Sequence, residues 1–201
     1  MKVDIHDVLF WMDAIRDSED RDRTLESFWK GQVNSKIWLI NKLTEVINAN
    51  NETSITIYGG WNGVLASLLF NSSISVDKIT SVDIDPTCES IAETMNKLYQ
   101  IAGKFSAITA DMCEHQTLAD IVINTSCEHV TPEQFRTWLS RMPEQATIVL
   151  QSNDYFACKE HVNCVSSLDE FIKQAPLSTI LFAGELRLPL YKRFMIIGRK
   201  Q

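Results

Sequence analysis

The chain is expected to adopt an α/β fold built on one mostly parallel sheet, preceded by a helical extension. Three observations carry that expectation. β-branched apolar runs alternate with helix-period segments five times from Ser54 onward. The first run empties into a glycine-rich turn, Tyr58-Gly59-Gly60-Trp61-Asn62-Gly63, and the next ends on the carboxylate of Asp83 some twenty residues later. Two closing runs are separated by a couple of residues around Pro189. They must pair antiparallel, because a parallel crossover needs about a dozen residues or more.

Residues 1–52 lack strand alternation and read as helices. Val3, Ile5, Val8, Leu9, Met12 and Ile15 fit one helical face. Ser18 to Arg23 is a charged break, and a second stripe runs from Leu25 through Trp38 to Ile47. Residues 53–201 form the sheet domain. Its strands are expected at Ser54–Tyr58, Lys78–Asp83, Phe105–Thr109, Ala119–Asn124, Ala146–Gln151, Ser178–Leu188 and Tyr191–Arg199. Gly63–Phe70 reads as the first crossover helix, and Pro86 opens a long one that ends near Gly103. Ile121-Val122-Ile123 is apolar on both faces, as a central parallel strand requires. Thr131-Pro132-Glu133-Gln134 is a helix start with a threonine cap and proline in the first turn. A polar loop (Ser152 to Asn163) and a short helix (Ser167 to Lys173) precede the closing hairpin.

The 201 residues, 45% apolar and 22% charged, suit one domain with a sizeable core. No apolar run approaches the roughly 18 residues that span a bilayer, and no basic segment leads into an apolar one at the N-terminus, so a cytoplasmic protein is expected. The net charge of −7 argues against a grip on nucleic acid through phosphates, which rewards lysine and arginine. A local basic patch beside the strand ends would be needed for such a partner. The five cysteines are odd in number and scattered, as reduced thiols are. Cys158, His161 and Cys164 could share helical turns, but without a fourth ligand or paired CxxC motifs no metal site is expected.

With these elements in place, the chain resembles the class I S-adenosylmethionine-dependent methyltransferases over roughly residues 53 to 200. The resemblance implies a Rossmann-like seven-stranded sheet, six strands parallel and the last antiparallel, and S-adenosyl-L-methionine as cofactor. It places Tyr58, Gly59, Gly60, Trp61 and Gly63 in the glycine-rich motif around the methionine part of that cofactor. Asp83, followed by Ile84, would bind the ribose hydroxyls. Asp111 would face the adenine amino group, with Met112 on its ring. Asn124 to Val130 resembles the family's fourth motif, where members acting on small molecules often carry a glutamate–histidine pair, here Glu128 and His129. Trp61 stands where the family usually has glycine, and Ile57 where it usually has an acidic residue. The indole must therefore turn outward or stack on the ligand.

Methyl transfer from a sulfonium is an in-line displacement, which needs alignment and, for a protonated nucleophile, a base. His129 is the candidate base, its alternative being a backbone contact ahead of the Thr131 cap. Glu128 would orient the substrate or His129. Asn124 and Ser126, leaving the fourth strand, would bond cofactor or substrate, or else cap the strand end. Tyr155 would line the substrate mouth. Trp29, Gln32 and Lys36 share one helical face, an odd mixture for core, so the N-terminal helices are candidates for a lid, with Trp29 over the substrate. A small-molecule substrate is expected. Methylation of RNA or protein, and a non-catalytic binding role, stand as alternatives. The oligomeric state is not legible. If Asp83 holds the ribose, Asp83→Ala should weaken cofactor binding by about 1.5–3 kcal/mol, with little change in melting of the free protein.

Overall fold

The computed structural model describes residues 2–200. Seven strands form one sheet in the order β3-β2-β1-β4-β5-β7-β6. These are β1 (Thr53–Tyr58), β2 (Val76–Asp83), β3 (Phe105–Thr109), β4 (Ile121–Asn124), β5 (Thr147–Asn153), β6 (Thr179–Arg187) and β7 (Lys192–Arg199). β1 to β5 pair parallel, and β7 runs antiparallel between β5 and β6. The expected topology is therefore present, including the hairpin that puts the last strand inside the sheet.

Period-two alternation gives each face of the sheet its own core. Ile55, Ile57, Ile79, Ile121, Ile123, Val149 and Ile197 pack on one side with α3 (Lys30–Val46) and α4 (Val64–Phe70). Tyr58, Val122, Ile148, Leu150 and Ile196 pack on the other with α7 (Pro132–Arg141) and α8 (Leu168–Gln174). α7 starts with the full capping box, Thr131 accepting from the Gln134 N–H and Gln134 accepting from the Thr131 N–H. The helix expected from Pro86 to Gly103 is instead two, α5 (Thr87–Met95) and α6 (Lys97–Ile101). The break falls at buried Asn96, which leaves the helical region at φ −111° and ψ 30° and whose side-chain amide donates to the Ala92 and Gly63 carbonyls.

The N-terminal helices depart most from expectation. α1 (Ile5–Asp17) turns Ile5 (65% exposed), Leu9 (56%) and Met12 (53%) to the outside. Polar anchors set this rotation. The buried Asp7 carboxylate accepts from the Asn71 amide at 2.5 Å and the Tyr99 hydroxyl at 3.0 Å, while Trp11 Nε1 donates to Ser67 Oγ at 3.0 Å. The charged break is short, because α2 (Arg21–Glu26) begins within it, capped by Asp20. Ala14 of α1 and Leu39, Ile40 and Leu43 of α3 join the same core cluster as the sheet. No helix among the described residues is long and apolar enough to cross a membrane, and all five cysteines are free.

Candidate active site

The carboxyl ends of β1, β2, β3 and β4 come out side by side. Tyr58 pairs with Val82 and Asn124, and Asp83 pairs with Thr109. The glycine turn, Asp83, Asp111 and Asn124 to Ser126 therefore share one rim of the sheet, where ligands enter open α/β folds.

In the turn, Gly59 adopts φ +63° and a side chain there would meet Ser126 Oγ at 2.8 Å, so only glycine lets the turn lie against the end of β4. Gly60 abuts Ser81 just as closely. Gly63, in the left-handed region at φ +77°, caps α4 against Ala92 of α5 and Asn96 just beyond it. Trp61 is the one non-glycine residue with positive φ among the described residues, at +48°. Its N–H donates to Asp83 Oδ2 at 2.8 Å, and the Asp85 N–H donates to Asp83 Oδ1 at 3.1 Å. One carboxylate thus ties the glycine turn to the end of β2, and each oxygen keeps acceptor capacity for a ligand. Trp61 borders a shallow recess with Asp83, Cys88, Ile108 and Thr109, on the α5 side of the turn.

Other expected residues divide into those at the rim and those turned away. Ile84 is 70% exposed beside Asp83, an apolar surface free for a flat ligand. Asp111 is part-buried and accepts from the Cys113 N–H at 2.7 Å, with Met112 packed against the second core. Tyr58 corrects the expectation: its ring is wholly buried, edge-on to Trp138, with its hydroxyl on His115 Nδ1 at 3.0 Å. Only its backbone can border a ligand. Trp29 folds its ring over Gly31 at the start of α3 and is 43% exposed.

Two buried amides in this region lack protein partners. Both side-chain polar atoms of Asn62 and Nδ2 of Asn124 are unbonded, while Asn124 Oδ1 accepts from the Ser126 N–H at 2.9 Å. A buried amide without a partner costs stability unless something else bonds it.

Beyond β4, Cys127 to His129 form a single 3-10 turn. Glu128 there is 2% exposed, and its Oε1 accepts from Arg193 at 2.6 Å and from Asn153 Nδ2 at 2.7 Å. Arg193 also donates to the Thr125 carbonyl. The His129 ring lies edge-on to His161, centroids 4.7 Å apart. Desolvation lowers the pKa of His129, with the Glu128 charge opposing and His161 and Arg193 adding to the drop. Tyr155 stacks on Tyr191 at 5.5 Å and meets the edge of His161 at 6.0 Å. His129 and Tyr155 both meet His161 beside Glu128, and Ser126 lies against Gly59 of the glycine turn.

Residues that the sequence left unmarked, or marked in another role, complete the site. Arg193, His161 and Asn153 hold the Glu128–His129 corner. Lys36 is buried with Nζ on Gln32 Oε1 at 3.1 Å; burial and then the Arg193 charge push its pKa down to about 7. Ser35 Oγ donates to Gln151 at 3.0 Å, so α3 lies over the end of β5. Arg23 of α2 reaches Asp85 at 2.5 Å and Thr87 at 3.0 Å, laying the N-terminal segment beside the end of β2. The mixed face of Trp29, Gln32 and Lys36 was the available signal for α3. Nothing local marks Arg23.

No protein-family model matches this sequence, and no curated protein matches it. Solved structures do resemble it. The N-methyltransferase NodS from Bradyrhizobium japonicum WM9, in complex with S-adenosyl-L-homocysteine, superposes with a TM-score of 0.69 at 11% identity, covering 94% of this chain and 98% of that one. Magnesium protoporphyrin IX methyltransferase (ChlM) from Synechocystis PCC 6803 gives 0.69 at 13% identity, covering 96% and 93%. The mitomycin 7-O-methyltransferase MmcR gives 0.65 at 12% identity, covering 94% of this chain and 60% of that one. The chain has the fold of the class I S-adenosylmethionine-dependent methyltransferases.

Proposed function

We propose that this chain is an S-adenosylmethionine-dependent methyltransferase acting on a small molecule. One observation carries the reading further than fold alone. The buried Asn62 amide and Asn124 Nδ2 lack partners along the same rim that carries Asp83. A polar ligand lying there would satisfy them. The residues present fit S-adenosylmethionine. Asp83 would accept from its ribose, Ile84 and Met112 would contact its adenine, and Asn62, Asn124 and the backbone of Gly59 and Gly60 would take its amino-acid end. Bound there, it supplies an electrophilic methyl group open to in-line attack.

The chain's own contribution is placement and proton handling. Ser126 and Tyr155 flank the approach to the strand ends, and Glu128, fixed by Arg193 and Asn153, holds the position of the adjoining His129 turn. The depressed pKa of His129 keeps its imidazole neutral at pH 7, so it can accept a proton from a hydroxyl or ammonium nucleophile. The N-terminal helices act as a lid, with Arg23 on Asp85 as one closing contact. The net charge of −7 and the free cysteines accord with a small-molecule enzyme of the cytoplasm.

Calorimetric titration of the whole chain with S-adenosylmethionine and S-adenosylhomocysteine tests the reading. Binding of both is expected, weakened at least tenfold in Asn62→Ala. Failure to bind either compound would refute it.

A further inference from the structure

We propose that Glu128, His129 and His161 form a site for one divalent transition-metal cation of the zinc or manganese type. One ligand atom from each lies within 4.8 Å of the other two. Bonds of about 2.0–2.2 Å in a tetrahedral shell set ligand atoms about 3.3–3.6 Å apart, so the trio would close by up to about 1.5 Å on binding.

The surroundings are those of a prepared donor set. Glu128 uses Oε1 for both Arg193 and Asn153, which leaves Oε2 buried and without any partner. A buried carboxylate oxygen with no donor is costly, and a cation is one group that removes the cost. His161 Nδ1 lies 3.0 Å from the Tyr155 carbonyl. Only a protonated Nδ1 can bond a carbonyl, so the lone pair falls on Nε2. A metal-binding imidazole is commonly held this way, through a backbone carbonyl on its other nitrogen. Two imidazoles and one carboxylate suit zinc, manganese or ferrous iron better than magnesium or calcium, which prefer all-oxygen shells. Arg193 opposes a second positive charge beside Glu128, which weakens the affinity. Three protein ligands leave open positions for solvent or for an oxygen of a substrate.

The site joins the turn after β4 to the loop after β5, the two segments that flank the substrate approach. Its further consequence rests on the methyltransferase reading: an acceptor hydroxyl bound to the cation would lose its proton to solvent more readily, and His129 would then serve as ligand rather than base.

The test uses the full chain, stripped with a chelator and titrated with Zn2+ and Mn2+ by calorimetry, and with Co2+ by visible absorption. One equivalent should bind. His129→Ala, at an exposed position that tolerates truncation, and His161→Ala should each weaken binding at least tenfold. Cys164→Ser, whose sulfur lies 3.6 Å from His161 Nδ1, should leave binding unchanged. Unaltered affinity in His129→Ala, or loss in Cys164→Ser with a thiolate–cobalt charge-transfer band in the parent, would overturn the site. So would absence of binding by the parent. None of these measurements uses S-adenosylmethionine, so a negative result would leave the methyl-transfer reading standing.

Discussion

Asp83 accepts a backbone N–H on each of its oxygens, and this changes what its removal should do. The expectation of a silent substitution in the free protein gives way to a structural one. Asp83→Ala should lower the stability of the ligand-free chain by about 1.5–3 kcal/mol, the scale of a lost hydrogen bond to a charged acceptor. An unchanged melting curve would show that the pinning of the turn contributes nothing. Trp61 is the complementary case. A non-glycine residue in the left-handed region carries about 1–2 kcal/mol of strain, which Trp61→Gly would relieve while keeping the N–H on Asp83. Glycine's greater freedom in the unfolded chain and the lost ring contacts work against that gain. Its melting temperature is expected to stay within a few degrees of the parent. The motif was legible as a glycine turn because glycine identity reports backbone need. Trp61 was not, because an indole carries no sign in sequence of the φ that its neighbours impose.

The same division holds for the secondary-structure elements. Strands could be read because each face repeats every second residue along one short segment, and the antiparallel closing pair because the link at Pro189 is too short for a crossover. The rotation of α1 could not, since the groups that anchor it, Asn71 and Tyr99, lie 64 and 92 positions from Asp7. Apolar periodicity pointed to the face that is in fact exposed. Arg23 and Asp85 are likewise 62 positions apart. Their ion pair is partly exposed, and the Asp85 carboxyl is held below its usual range by Thr87 first and Arg23 second. Such pairs contribute about 0–1 kcal/mol, so Arg23→Ala should barely move the melting temperature. It should instead loosen α2 from the end of β2, seen as faster limited proteolysis between residues 18 and 29. Equal cleavage rates in both proteins would dismiss the contact as a latch.

At the level of the whole molecule, three charged side chains besides Asp7 sit in the interior: Lys36 of α3, Glu128 and Arg193. Glu128 and Arg193 neutralise one another; Lys36 has only the Gln32 amide as partner and the Arg193 charge against it. Its pKa falls from 10.5 when unfolded to about 7 when folded. Between those values the unfolded chain holds a proton that the native chain lacks, so this group makes stability rise with pH through that window. Below it the native state bears the full cost of a buried charge. Lys36→Met should therefore stabilise the chain by about 1–3 kcal/mol at pH 6, within the usual range for single substitutions, and the gain should fade toward alkaline pH. A gain independent of pH would show that Lys36 is not titrating in the interior. Asp83 and Asn124 could be singled out from the sequence because they end strands, and Glu128 because it closely follows one. The interior charges could not, because Lys36 and Arg193 reach the site from the second helix stripe and the last strand, and meet only once the sheet is closed.

The place of β7 has a consequence for how the chain folds. β5 and β6 follow one another in sequence yet share no backbone bonds, because β7 lies between them. That half of the sheet cannot zip up progressively as the polypeptide emerges; β6 has no strand partner but β7, so the two must dock on the β5 edge as a hairpin once Lys192–Arg199 is made. The parallel strands β1 to β5 can therefore assemble without the closing hairpin, whose docking on β5 is expected to be the late event. Arg193 arrives with that strand, so the Glu128 corner is completed only in the last step of folding.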